Sequence, residues 1–257
     1  MKIERVLANN PGVFTGTGTN TWLLDDGNGN VVVIDPGPVD TKHGRAIVDR
    51  IGDRQVEAVL VTHTHIDHAP LANPLARDLG VPAIGHAPGP HFEPDERLLD
   101  GAKFQVGNLE LLVVHMPGHA DDHLCFRAGN ALFSGDHIMG GSSVMVDEMG
   151  SYLQSLEKLK DTGLERLHPG HGEEMAEPDQ VIDWYLAHRR QRHEQVYQAI
   201  VDGRQTIDAI VEMIYSDVDK SLHPLAARSV AAHLTLLNDE GRITSEGDGF
   251  VPLPHPT

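Results

Sequence analysis

Thr62-His63-Thr64-His65-Ile66-Asp67-His68-Ala69-Pro70 follows directly on the apolar run that ends at Val61. Imidazole nitrogen and carboxylate oxygen are the donors that zinc and similar divalent ions accept. In extended chain, residues two apart point the same way. His63 and His65 can therefore grip one ion, and a turn after them brings Asp67 and His68 towards a second. The competing reading is a polar loop with incidental histidines, and the rest of the chain decides between the two.

Three further apolar runs end in the same manner. Leu111-Leu112-Val113-Val114 leads into His115-Met116-Pro117-Gly118-His119, Ala131-Leu132-Phe133 into Ser134-Gly135-Asp136-His137, and Leu164-Glu165-Arg166-Leu167 into His168-Pro169-Gly170-His171. Each strand is followed by a glycine with a His or Asp beside it, and glycine permits the sharp turn that aims a ligand back over a sheet. Four strands are thus expected to deliver metal-binding side chains to one sheet edge, a common way for open sheets to build a site.

The remaining pattern is mixed. Thr21 to Leu24 and Val31 to Ile34 flank Asp25-Asp26-Gly27-Asn28-Gly29-Asn30, which predicts a β-hairpin. Helices are expected over about 41–52, 70–80 and 150–159, and strands over 56–61, 81–85, 164–167 and on both sides of Gly107-Asn108. Such a mixture means an α/β or α+β core. After Pro178 the character changes. Val181 to Ile200 reads as one long helix, Thr206 to Tyr215 and Ala226 to Leu237 as two more, and Arg242 to Pro252 as a small hairpin. The expected domains are 1–178 with the metal ligands, a connecting helix over 179–203, and a winged-helix-like module over 204–257.

The pattern His63-x-His65-x-Asp67-His68, followed by His119, Asp136 and His171, resembles that of the metallo-β-lactamase superfamily over roughly residues 1 to 175. The resemblance implies an α+β fold, the αββα sandwich, with the small winged-helix-like domain after it. It also implies two divalent metal ions, zinc first with iron or manganese as alternatives. His63, His65 and His119 would bind one ion, Asp67, His68 and His171 the other, and Asp136 both. Asp35 matches the superfamily's acid at the end of an early strand and would support the site from behind. Gly18-Thr19-Asn20-Thr21-Trp22, Ala232-His233-Leu234 and Leu237 to Gly241 are similar to the branch containing β-lactamase-like protein 2. A bridging Asp136 argues against a true β-lactamase, and Cys125 does not match the cysteine that many of those enzymes place in the second site. Met116 and Ala120-Asp121-Asp122 depart from what relatives carry.

The expected chemistry is hydrolysis. Two ions bridged by Asp136 would lower the pKa of a water between them from about 15.7 towards roughly 7, and the hydroxide would attack an ester, thioester or phosphodiester. Asp136 and Asp67 are the expected catalytic carboxylates. A small-molecule substrate is favoured, with a single-strand-specific endoribonuclease as the alternative and a metal-sensing regulator behind it. The formal charge of −18 repels nucleic acid unless basic residues concentrate locally. Residues 201–257 carry four basic against nine acidic side chains, so duplex DNA is not an expected partner, while homodimerisation is allowed. No apolar run approaches the roughly 20 residues that span a bilayer. One cysteine and the absence of a signal-like stretch at Met1 to Val6 lead to the expectation of a cytoplasmic protein.

Other residues receive structural expectations. His115 and His168 should support the sheet and the turn, and His123 starts a strand without ligating. His137 is open to a pocket role. Gly16-Thr17-Gly18-Thr19 should form a mobile loop at the pocket edge. Arg189-Arg190-Gln191-Arg192 should be a solvated helix face.

Overall fold

The computed structural model describes residues 1–140 and 143–254. The last three residues of the expected 204–257 module, and two inside 1–178, lie outside the described residues. By their internal contacts the residues form two compact units. One comprises Met1–Pro117, Asp121–Val144 and Asp161–Asp179; the other comprises Gly118–Ala120, Met145–Lys160 and the chain from Gln180 onward.

In the first unit, β1 (Lys2–Leu7), β2 (Asn20–Asp25) and β3 (Asn30–Ile34) run antiparallel. The Asp26 carboxylate ties the β2–β3 reversal by accepting the amides of Asn28 and Asn30. The chain then crosses through α1 (Thr41–Ile51), which Asp40 caps by accepting Lys42 N and His43 N. It returns as β4 (Gln55–Leu60), parallel to β3, and again through α2 (Ala72–Leu79) to β5 (Ala83–Gly85) and β6 (Glu96–Arg97). These six strands make one sheet in sequence order.

The second sheet holds β7 (Lys103–Val106), β8 (Leu109–His115), β9 (Leu124–Ala128), β10 (Ala131–Gly135), β11 (Arg166–Pro169) and β12 (Met175–Ala176). The two sheets pack face to face over one core. Trp22, Leu24, Val32, Ile34 and Leu60 come from the first sheet, and Leu111, Val113, Phe126 and Phe133 from the second. The other face of the first sheet, with Leu23, Val31, Val33 and Val59, is covered by Ile47 and Ile51 of α1 and Leu75 of α2. Val31 to Ile34 read as a continuous apolar run because β3 is buried on both faces.

Two expectations for these sheets need correction. The strand expected over 164–167 lies at Arg166–Pro169, because the Asn130 carbonyl takes the amides of both Glu165 and Arg166 and starts the pairing of β11 with β10 there. The ligand-bearing strands also do not share one edge. β4 belongs to the first sheet, whereas β8, β10 and β11 belong to the second.

The second unit contains α3 (Met149–Leu159), α4 (Pro178–Val201, save its first two residues), α5 (Ile207–Ile214), α6 (His223–Asp239) and the hairpin β13 (Ile243–Glu246)–β14 (Gly249–Pro252). Its core joins Val196, Ala199 and Ile200 of α4 to Ile210, Val230, Leu234, Leu237 and Ile243. Helix α6 begins three residues before the expected Ala226, since Pro224 is tolerated in a first turn whose amide needs no partner. The expected solvated basic face is observed only in part, since Arg190 and Gln191 are exposed but Arg189 is not. Arg189 is buried with its guanidinium over Tyr152, Arg190 pairs with Glu157, and Arg192 lies over Tyr215. No helix among the described residues is long and apolar enough to cross a membrane.

Candidate metal centre

Asp35 organises the site from beneath. It ends β3 in the left-handed region (φ 51°), a conformation unusual for a side chain larger than glycine's, and its carboxylate is buried. Oδ1 accepts the Thr62 amide at 2.7 Å. Oδ2 accepts the Thr62 hydroxyl at 2.7 Å and His68 Nδ1–H at 2.9 Å. A carboxylate beside these donors only accepts, so each bond fixes a proton. The Thr62 hydroxyl has spent its proton on Asp35 and must accept His63 Nδ1–H, 3.0 Å away. His68 and His63 therefore both carry their protons on Nδ1 and leave Nε2 as a lone pair.

The same device recurs. His171 Nδ1–H donates to the Gly18 carbonyl at 3.1 Å. His119, in the second unit, donates Nδ1–H to the Met145 carbonyl at 2.7 Å. Gly118 before it (φ 130°) passes so close to the Tyr152 backbone of α3 that an added Cβ would meet it at 2.5 Å. Four histidines are thus held in the tautomer that a metal requires at Nε2.

Asp67, His68, Asp136 and His171 come together with all their donor atoms within 4.8 Å of one another. His68 Nε2 stands 3.2 Å from His171 Nε2 and 3.3 Å from Asp136 Oδ1. His171 Nε2 is 3.4 Å from Asp136 Oδ2 and 3.1 Å from Asp67 Oδ2. Two lone pairs and two carboxylates facing one another repel unless a cation or protons lie among them. Burial pushes the His68 imidazole down, but Asp136 and Asp35 outweigh it and hold its pKa well above the usual range. Burial likewise lowers His171, while its bonds to Asp136 and Asp67 raise it to about 9. Burial raises Asp136, and the His68 charge with the His171 bond holds it well below an ordinary carboxylate. The cluster demands positive charge, and a divalent ion meets all four donors at once. Room for it depends on Gly170, where a Cβ would stand 2.4 Å from Asp136 Oδ1 and 2.6 Å from His68 Cε1.

His63 and His65 form a neighbouring pair, His63 Nε2 facing His65 Nδ1 at 2.9 Å, with the His63 ring 4.3 Å from that of His68. His63 is buried and His65 exposed. Asp122 accepts the Thr64 amide at 3.0 Å and steadies this pair.

The family model described as the metallo-beta-lactamase superfamily matches residues 14–171. The chain belongs to the metallo-β-lactamase superfamily. A model of the beta-lactamase associated winged helix domain matches residues 206–250. "Beta-lactamase-like protein 2 homolog" of Drosophila melanogaster is 32% identical over 99% of this chain and 94% of its own length. "Atrochrysone carboxyl ACP thioesterase" of Aspergillus chevalieri is 32% identical over 97% of this chain and 85% of its own. The crystal structure of a metallo-beta-lactamase family protein from Thermus thermophilus matches with a TM-score of 0.82 at 21% identity, covering 98% of each chain, and this shows the fold alone. The expected fold, a metallo-β-lactamase domain followed by a winged helix, is the one observed, and the superfamily makes the chain a metal-dependent hydrolase.

Within this metallo-β-lactamase domain the remaining histidines have other tasks. His168 is buried between Trp22 and Phe133, at ring distances of 4.9 and 5.0 Å. His115 bonds the Asp121 carbonyl and stacks on His86. His137 is fully buried, its ring 5.8 Å from that of His123. The Gly16–Thr19 segment, expected at a pocket edge, supplies the Gly18 carbonyl that orients His171. The sequence left Thr62 and Asp122 without roles in the site, and gave Gly18 only a place in a pocket-edge loop and Gly170 only that of a turn residue.

Proposed function

We propose that this hydrolase uses two divalent ions to cleave acyl thioesters of small-molecule substrates, with a water as nucleophile. His63, His65 and His119 would hold the first ion, Asp67, His68 and His171 the second, and Asp136 would serve both. The observation that carries this reading is Asp136 set between His68 and His171, two histidines tethered at Nδ1 with Nε2 towards its carboxylate. Zinc is the ion we favour, since imidazole with carboxylate is a zinc donor set.

The ions would supply an acidified water and polarise the acyl carbonyl. The chain's own residues do the rest. Asp136 lies between His68 and His171 with one carboxylate oxygen towards each. Asp67 is partly exposed beside them and would accept a hydrogen bond from the attacking water. A thiol nucleophile is not at hand, because Cys125 is buried in β9, with burial pushing its pKa far up. The thioester preference rests on the relative named as an acyl-carrier thioesterase, and the charge of −18 weighs against RNA. We further propose the division into a catalytic domain at 1–178, a connecting helix at 179–203 and a winged-helix-like domain at 204–257.

Metal analysis of purified protein should find close to two ions per chain. Thioesters should be hydrolysed ahead of esters, lactones, phosphodiesters and single-stranded RNA, and a chelator should abolish turnover. A metal-free protein that still turns over, or cleavage of RNA but no thioester, would sink the reading.

A further inference from the structure

We propose that His123 is a positioning residue that fixes the main chain of Asp136 against the ring of His63, and so sets the spacing of the two metal positions. This rests on the dinuclear reading above. His123 is fully buried immediately before β9. Its Nε2 accepts the Asp136 backbone N–H at 3.1 Å, so that nitrogen is unprotonated and turned away from ligation. Its ring stacks on His63, with centroids 4.9 Å apart and planes 28° from parallel. One side chain thus touches the proposed bridging aspartate and a proposed ligand of the first ion.

The surroundings are built to keep it there. The His123 carbonyl accepts Met116 N–H at 2.8 Å and closes the loop that carries His119. The next amide, Leu124 N, donates to the Thr62 carbonyl at 2.7 Å, beside His63. Gly135 (φ 48°) lets the ring approach, since a Cβ there would lie 2.7 Å from His123 Nε2 and 2.8 Å from Thr62 Oγ1. An acceptor held this way pins the Asp136 amide, and the amide pins the carboxylate two bonds beyond its Cα. Partners that orient metal ligands without touching the metal are typically worth roughly 10–100-fold in metal affinity.

Two substitutions separate the hydrogen bond from packing. His123→Phe keeps a ring against His63 and loses the acceptor, while His123→Gln loses the ring and can still accept from Asp136. Zinc would be titrated into metal-free protein against a chromophoric chelator, and cobalt spectra recorded at one and two equivalents. We expect His123→Phe to bind the second ion roughly 10–100-fold more weakly, with an altered two-equivalent spectrum, and His123→Gln to stay near the unsubstituted protein. Equal behaviour of His123→Phe and unsubstituted protein overturns the proposal, as does a His123→Gln as weak as His123→Phe. A wild-type chain binding fewer than two ions would instead overturn the dinuclear reading itself. Should the variants misfold, nitrogen NMR of cadmium-loaded wild-type protein decides. His123 Nε2 should show no coupling to cadmium-113, and a coupling would make it a ligand and overturn the proposal.

Discussion

Asp35 Oδ2 lies 2.9 Å from His68 Nδ1, and through Thr62 the same oxygen also governs His63. One carboxylate therefore chooses the tautomer of a histidine in each proposed metal position. In Asp35→Asn the amide either loses the acceptor or turns a donor towards His68 and Thr62. His68 is then free to carry its proton on Nε2, where the ion must bind. The second ion should be held roughly 10–100-fold more weakly in a chelator competition. Full affinity in a folded variant would show that the tautomer is set elsewhere.

Gly170→Ala should act more locally. The added methyl would stand within 2.4 Å of Asp136 Oδ1 and 2.6 Å of His68 Cε1. The expected outcome is loss of one ion per chain by metal analysis, with the far-UV circular dichroism unchanged. Two ions per chain in that variant would mean that the turn yields more readily than its packing suggests.

Asn20 predicts a stability effect that reaches the site. Its Nδ2 donates to the carbonyls of Pro169 and Gly172, on either side of Gly170 and His171, and its backbone amide to that of Gly170. Asn20→Ala leaves two carbonyls with one donor fewer, at about 1–3 kcal/mol. Urea unfolding should show that loss, together with weaker retention of metal on dialysis. A variant with an unchanged midpoint would contradict the assignment.

His233 sets a pH dependence far from the metals in sequence. It is fully buried in α6, and burial, then the nearby His193, Arg189 and Arg192, lower its pKa to about 3. The unfolded chain takes up a proton near pH 6.5 that the folded chain refuses until about pH 3. Stability from this group is thus complete above 6.5 and falls on acidification, by at most about 1.4 kcal/mol per pH unit. Metal-free wild-type and His233→Asn proteins should be compared by urea unfolding at pH 7 and 5. The difference in their stabilities should change in favour of His233→Asn at the lower pH, and a pH-independent difference would refute the assignment.

What the sequence revealed follows from how local each signal was. The cluster at 63–68 was legible because His and Asp at spacings of one and two residues have few other uses. Asp136 and His171 were legible because each follows an apolar run and adjoins a glycine. Thr62, Gly18 and His123 were not, since their work depends on partners up to 153 residues away. The two-residue strands β6 and β12 were too short for any periodicity to register. Arg189 read as solvated because nothing in its own helix announces Tyr152.

The two strands β10 and β11, which carry Asp136 and His171, lie in one sheet, and β4, which leads to Asp67 and His68, lies in the other. Each sheet supplies one half of the second cluster, and the four donors come together only once the sheets have met. Uptake of an ion there would therefore certify finished assembly: a chain whose sheets have docked out of register would offer only scattered donors, and would emerge from folding unloaded as well as misshapen.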